Sequence, residues 1–298
     1  MTETAETLRR KMAGARELQS VVRTMKTMAA ANVSRYEQAV RSLNEYSRTV
    51  RRGLGICLHE GYGKDLRPES ARAGSHMSGS VVFGSDQGLV GRFNELVAEL
   101  ASSDREHPGD EAPVWAVGER MTEHLRILGL SPAGTFNVPA GVEGISPLVG
   151  RILHDCESRL GPDGIAGLQL IFCRRRTDGG LEPVCKRLIP PGRGWLRELA
   201  DRPWPMKTLP EVLGDGDTAF KALIREYLFV SLFRACAESM ASENAGRLSA
   251  MQRAERNIED MLGDLHSRFH RMRQSRIDEE LFDVVSGFEA LSGGHPPI

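Results

Sequence analysis

Residues 8–57 read LRRKMAGARELQSVVRTMKTMAAANVSRYEQAVRSLNEYSRTVRRGLGIC, and their spacing decides the fold. Leu8, Ala15, Val22, Ala29, Tyr36, Leu43, Val50 and Cys57 recur every seven residues. Leu18, Met25, Ala39 and Tyr46 follow members of that row by three. No proline precedes Pro68, and no glycine stands between Gly14 and Gly53. Such spacing marks one apolar stripe on a long helix wrapped against a partner. Helix over residues 3–58 would be roughly 80 Å long at about 1.5 Å per residue, more than a small domain buries.

A second stretch has the same character. Proline is absent from 217 to 291, and Leu223, Val230, Ala237, Asn244, Met251, Ile258, Leu265 and Met272 again recur every seven residues. Tyr227, Ala241, Leu248, Leu262 and Phe269 lie four further on, and Asn244 is a polar residue of the kind that fixes register. Two heptad arms at opposite ends of one chain predict an antiparallel coiled coil, the longer second arm continuing alone.

Between the arms the period changes. Residues 61–79 are polar and turn-rich and read as a linker. SVVFGS at 80–85, VWAV at 114–117 and residues 135–138 read as strands, with helices expected over 92–102, 119–128 and 147–159. Residues 168–174 and 182–189 flank Asp178-Gly179-Gly180 as a hairpin. The alternation predicts a small Rossmann-like α/β domain with a mainly parallel sheet. The expected organisation is a first arm at 1–60, linker 61–79, α/β domain 80–190, irregular return 191–216, second arm 217–292 and tail 293–298.

Composition narrows the chemistry. The 298 residues carry 39 basic and 40 acidic side chains, and that balance argues against nucleic acid as a partner. No run of 18 apolar residues is available to enter a membrane, and the opening MTETAETLRR lacks the apolar stretch of a secretory signal. Five scattered cysteines form no CxxC pair. Asp86-Gln87-Gly88-Leu89-Val90-Gly91 follows the first strand, where open sheets hold ligands, yet it contains neither GxxxxGK[ST] nor a full GxGxxG. A lone acid there reads as a helix cap or turn residue. His266 and His270 are one helical turn apart without a third ligand, and Cys173 lies in an apolar strand. No catalytic residue, metal or cofactor is expected. The first arm carries eleven basic residues against five acidic ones over 3–58, a surface suited to acidic partner loops.

Five segments, in order, carry a family resemblance. VRTMKTMAAA at 22–31 is similar to ITKAMEMVAAS, and FGSDQGLVGRFN at 83–94 to SSDRGLCGGLN. Ser242-Glu243-Asn244-Ala245-Gly246-Arg247 with Met251, Ala254 and Asn257 matches SExxARMxAMxxAxxNA with small shifts. RQSRIDEEL at 273–281 resembles RQxxITxEL, and Val285-Ser286-Gly287 its following VSG. Together they resemble the γ subunits of F-type ATP synthases, the central rotor shaft.

That resemblance implies a non-catalytic shaft inside a ring of α and β subunits, its α/β domain meeting the ε subunit and the c-ring. It implies coupling of ion flow, proton or sodium, to ATP synthesis or hydrolysis, at the cytoplasmic face of a bacterial inner membrane. Partner contacts are expected at Arg23, Met25 and Lys26 on the first arm. Others are expected at Asp86, Gly88 and Gly91 in the loop, and at Arg273, Gln274, Asp278 and Glu280 on the second arm. Asp278 stands where the family has threonine, and Gln87 and Arg92 also depart from the pattern, which points to a divergent, alternative-operon branch. Two rival readings are a coiled-coil scaffold, which would carry no embedded sheet, and a nucleotide-dependent α/β enzyme with helical oligomerisation arms, which would place phosphate or metal ligands at its strand ends.

Overall fold

A computed structural model describes residues 4–63, 78–104, 112–159, 165, 167–189, 193–201, 204, 208 and 210–292. Most of the expected linker and the expected tail therefore lie outside the described residues.

Helix α1 covers Ala5–His59 and helix α6 covers Gly216–Ser292. The side-chain hydroxyl of Thr4 accepts the Thr7 amide at 3.2 Å and caps α1. Its other end is closed by Gly61 at φ 90°, with Gly61 N–H donating to the Leu58 carbonyl and Tyr62 N–H to that of Cys57. This is the left-handed stop that glycine alone adopts without strain. Asp215 caps α6 by accepting the Thr218 amide at 3.2 Å.

The chain divides into two compact units. One comprises Met1–Thr27 and Ala250–Ile298. Here Leu8, Met12 and Ala15 bury against Ile258, Leu262 and Leu265. Cross-links run Arg16 to His266, Gln19 to Glu259 and Arg23 to Glu255, so the segments are antiparallel. Arg16 Nη2 lies 3.0 Å from Nε2 of His266.

The other unit is Met28–Ser249. Five strands, β1 (Ser78–Phe83), β2 (Val114–Val117), β3 (Gly134–Phe136), β4 (Gly167–Arg175) and β5 (Leu181–Ile189), lie in the order β3-β2-β1-β4-β5. All pairings are parallel except the β4–β5 hairpin. Helices α2 (Phe93–Ser103) and α3 (Glu119–Ile127) bury one face around Val82, Ala116 and Ile171. Helix α4 (Ile145–Glu157) and the arm segments bury the other around Phe83, Trp115 and Leu170. Strands covered on both faces read as continuous apolar runs, which explains VVF and VWAV. Helix α6 is buried almost all round between Tyr227 and Gly246, with the α1 stripe (Tyr36, Val50, Leu54) and the sheet in one core. Buried Asn244 donates to the Met240 carbonyl at 2.8 Å and accepts from Asn32 at 3.4 Å, a polar cross-link between the arms.

Two details depart from the sequence expectation. The seven-residue row of α1 is the packed one, but its companion row lies four residues on, at Met12, Val33 and Leu54. Leu18, Met25 and Tyr46 are exposed instead. At 3.6 residues per turn, a residue four along is about 40° from the first row, and one three along about 60° away on the opposite side. The partner segment covers the nearer row. Within the expected irregular return, Arg193–Ala200 forms helix α5, whose Trp195 lies 4.7 Å from Tyr227.

Candidate partner-binding surfaces

The loop after β1 is built from buried polar groups. Ser85 N–H donates to Asn94 Oδ1 at 3.1 Å, and Asn94 Nδ2 donates to Ser85 Oγ at 2.8 Å. Asp86 accepts the Glu119 amide on Oδ1 at 2.9 Å and the Val138 amide on Oδ2 at 3.0 Å. Both carboxylate oxygens are thus engaged by backbone, tying the loop to α3 and to the segment after β3. Gly118 has φ 109°, and a Cβ there would lie 2.6 Å from the Ser85 carbonyl oxygen. On this fixed base the tip at Gln87, Gly88 and Leu89 is exposed, with Leu89 and Gly91 both at φ 63°.

Beneath the tip runs α6. A Cβ on Gly246 would stand 2.6 Å from the Val90 carbonyl oxygen, so only glycine lets the helix approach this closely. Beside it Arg247 Nη2 meets Glu243 Oε1 at 2.7 Å, with side chains 15% and 8% exposed. Burial lifts the Glu243 carboxyl above its ordinary range, and Arg247 opposes that rise. The sequence places Gly246, Glu243 and Arg247 in a motif, but nothing in it reveals the approach of Gly246 to the loop or the burial of the Glu243–Arg247 pair.

Arg23 and Lys26, in the first unit, face acids of α6. Arg23 Nε lies 2.8 Å from Glu255, its Nη2 3.3 Å from Glu259, and Lys26 Nζ 2.5 Å from Glu255. The Lys26 and Arg23 hydrogen bonds hold the Glu255 carboxyl below the usual carboxylate range. Part of the basic excess on the first arm is therefore answered within the chain. Met25 points away from the packed row and is 36% exposed. Met25→Lys should change stability by no more than about 0.5 kcal/mol in urea unfolding, as at an ordinary surface site; a larger loss would return Met25 to the packed row.

The remaining candidates lie on α6 within that unit. Every described side chain from Arg273 to Phe288 is exposed. Gln274 donates to Asp278 at 3.5 Å and Arg276 meets Glu280 at 3.3 Å, both along the helix. Ile277, Leu281, Phe282, Val284, Val285 and Phe288 add a large apolar surface.

Among the described residues no group of three or more His, Cys, Asp or Glu side chains is placed to hold a metal. Burial pushes the Cys156 and Cys173 thiols up to about 12, where a thiolate does not form at neutral pH. No described helix is long and apolar enough to cross a membrane.

The family model described as ATP synthase matches residues 4–291, taking in both arms and the sheet. The chain belongs to the ATP synthase family. Its curated relatives there are gamma chains: that of Polaromonas naphthalenivorans is 25% identical over 293 residues, covering 95% of this chain and 98% of the relative. That of Mycobacterium sp. (strain KMS) is 26% identical over 310 residues, covering 98% of each. In fold the chain resembles the rotor of the Euglena gracilis mitochondrial ATP synthase, at TM-score 0.64 and 14% identity, over 92% of this chain and 98% of that one. Within the family its place is with the gamma subunits.

Proposed function

We propose that the chain turns as the shaft of a rotary ATP synthase and performs none of the chemistry itself. Its arms would stand within a ring of α and β subunits, and its α/β domain would meet an ε subunit and a c-ring, at the cytoplasmic face of a bacterial membrane. The observation that carries this reading is the family match across both arms and the intervening sheet. The exposed charges and apolar side chains of residues 273–288 support a surface made for a partner.

A shaft must leave each orientation as readily as it enters it. Exposed ion pairs are worth only about 0–1 kcal/mol each, so torque passes through many weak and steric contacts rather than one clamp. Arg273, Gln274, Asp278 and Glu280 would meet ring loops, the arginine fork suiting carboxylates and carbonyls. Gly88 and Gly91 would let the loop backbone approach an acidic segment of a β subunit, on the base that Asp86 fixes.

The test is reconstitution with α and β chains and the membrane sector. Alone, the chain should hydrolyse no ATP; in the complex it should be needed for ion pumping linked to hydrolysis. Arg273→Ala should lower pumping per ATP only partly, with stability unchanged within about 0.5 kcal/mol. Pumping that proceeds equally well without the chain would sink the proposal.

A further inference from the structure

A cleft of about 580 Å³ opens where α1 faces the turn before α4, with Phe233 of α6 completing its wall. It lies wholly within the unit formed by Met28–Ser249. Its volume is that of a small-molecule site. Helix α1 lines it from Asn32 to Leu43, a length of roughly 18 Å at about 1.5 Å per residue. A second helix laid along that length would occupy roughly 1,400 Å³ at about 10 Å across, more than twice the space. Size therefore selects a small molecule over a docked helix.

The lining joins an apolar wall, Leu43, Val142 and Phe233, to polar groups without partners. Tyr36 lines the cleft at 4% exposed, and no described residue hydrogen-bonds its hydroxyl. Burial first, then Glu243, Cys236 and Glu143, push that hydroxyl up to about 12 against the pull of Arg35, so it keeps its proton at neutral pH and can donate. Arg35 and Glu143 also line the cleft, and among the described residues neither makes an ion pair. The Glu143 carboxylate folds over Gly141 of the same wall, where a Cβ would lie 2.8 Å from its Oε2. Opposite charges that share a cleft without meeting leave one place for an anion and another for a cation. A guanidinium fork takes a carboxylate, and a carboxylate accepts the N–H groups of an ammonium. A plain anion would be opposed by Glu143, and a plain cation by Arg35.

We propose that this cleft binds a small zwitterion with an apolar body, the chemistry shared by short apolar peptides and free apolar amino acids. Arg35 takes the ligand's carboxylate and Glu143 its ammonium. The Tyr36 hydroxyl donates to a ligand oxygen, and Leu43, Val142 and Phe233 cover the apolar body. The site does not depend on the shaft reading.

The experiment is calorimetric titration of the full chain with the dipeptide phenylalanyl-leucine. Saturable binding with a Kd below about 1 mM is expected. Arg35→Gln and Glu143→Gln should each weaken it about 2–5-fold, the worth of an exposed ion pair. Capped forms of the dipeptide show which charge meets which residue. With the carboxylate amidated, Arg35→Gln should make no further difference; with the amine acetylated, Glu143→Gln should make none. Tyr36→Phe keeps the ring and should weaken the uncapped dipeptide as well. Free phenylalanine separates the sources: tighter binding of the dipeptide assigns a short peptide, and tighter binding of phenylalanine a single amino acid. No saturable binding of either, full affinity in all three variants, or a weakening that persists with the matching cap in place overturns the proposal.

Discussion

Replacing Arg247 by methionine should lower stability by about 3–5 kcal/mol at neutral pH, because it strands the Glu243 carboxylate in a covered position. The two side chains meet at 2.7 Å and are almost fully buried, so water cannot take the place of the lost partner. The loss should also depend on pH. Burial already lifts the Glu243 carboxyl above its ordinary 4.5, against the pull of Arg247. A carboxyl whose folded pKa is raised favours the folded state most when protonated, and that contribution falls as pH rises through the folded value. Without Arg247 the rise is larger. The variant should therefore regain stability on acidification from pH 7 toward pH 5 more steeply than wild type does. Combining it with Glu243→Gln should restore much of the neutral-pH loss. Urea unfolding at several pH values measures both effects. A loss below about 1 kcal/mol with no added pH dependence would mean that the pair is not buried as described.

Gly246→Val is expected to act through shape alone. Glycine inside a helix costs about 0.5–1 kcal/mol relative to alanine, so its presence in α6 calls for a reason. The Val90 carbonyl provides one, since it occupies the place where a side chain would begin. Valine forces either the loop or the helix to shift, and overpacking of this kind costs about 1–3 kcal/mol. The displaced element should be the loop, whose tip is exposed while α6 is enclosed. Hydrogen exchange at the amides of residues 85–90 should then accelerate together with the drop in unfolding midpoint. Unchanged exchange and midpoint would show that the helix accommodates the side chain without touching the loop.

Much of the architecture was legible because it is written in periodicity. A seven-residue row needs no knowledge of its partner, so Leu8 through Cys57 could be read directly. The companion row could not: spacings of three and four both satisfy a heptad, and the side on which the partner lies chose Met12, Val33 and Leu54 over Leu18, Met25 and Tyr46. Helix α5 was hidden by the prolines around it. At the candidate surfaces, residue types could be named but not their obligations. Asp86 looks free in sequence, yet amides 33 and 52 residues away engage both its oxygens. Arg23 and Lys26 look like an open basic face until Glu255 is placed against them. Such pairings span from 33 to 232 positions and leave no local trace.

The burial of α6 on all sides between Tyr227 and Gly246 has a consequence for how the molecule is made. Every strand leaves the ribosome before the 77 residues of α6 do. At about 5–20 residues per second, that helix takes about 4–15 s to emerge. For about the first third of that interval Phe83, Leu170 and Phe172 lack the cover that Leu232, Ala235 and Met240 later give them. The nascent chain must wait with an apolar sheet face open, and α1 waits beside it for a partner more than 200 residues downstream, as the Asn32–Asn244 link measures. Closure is thus a late, non-local event, slow by its topology, and a chaperone that shields the open face during translation should raise the yield of folded protein.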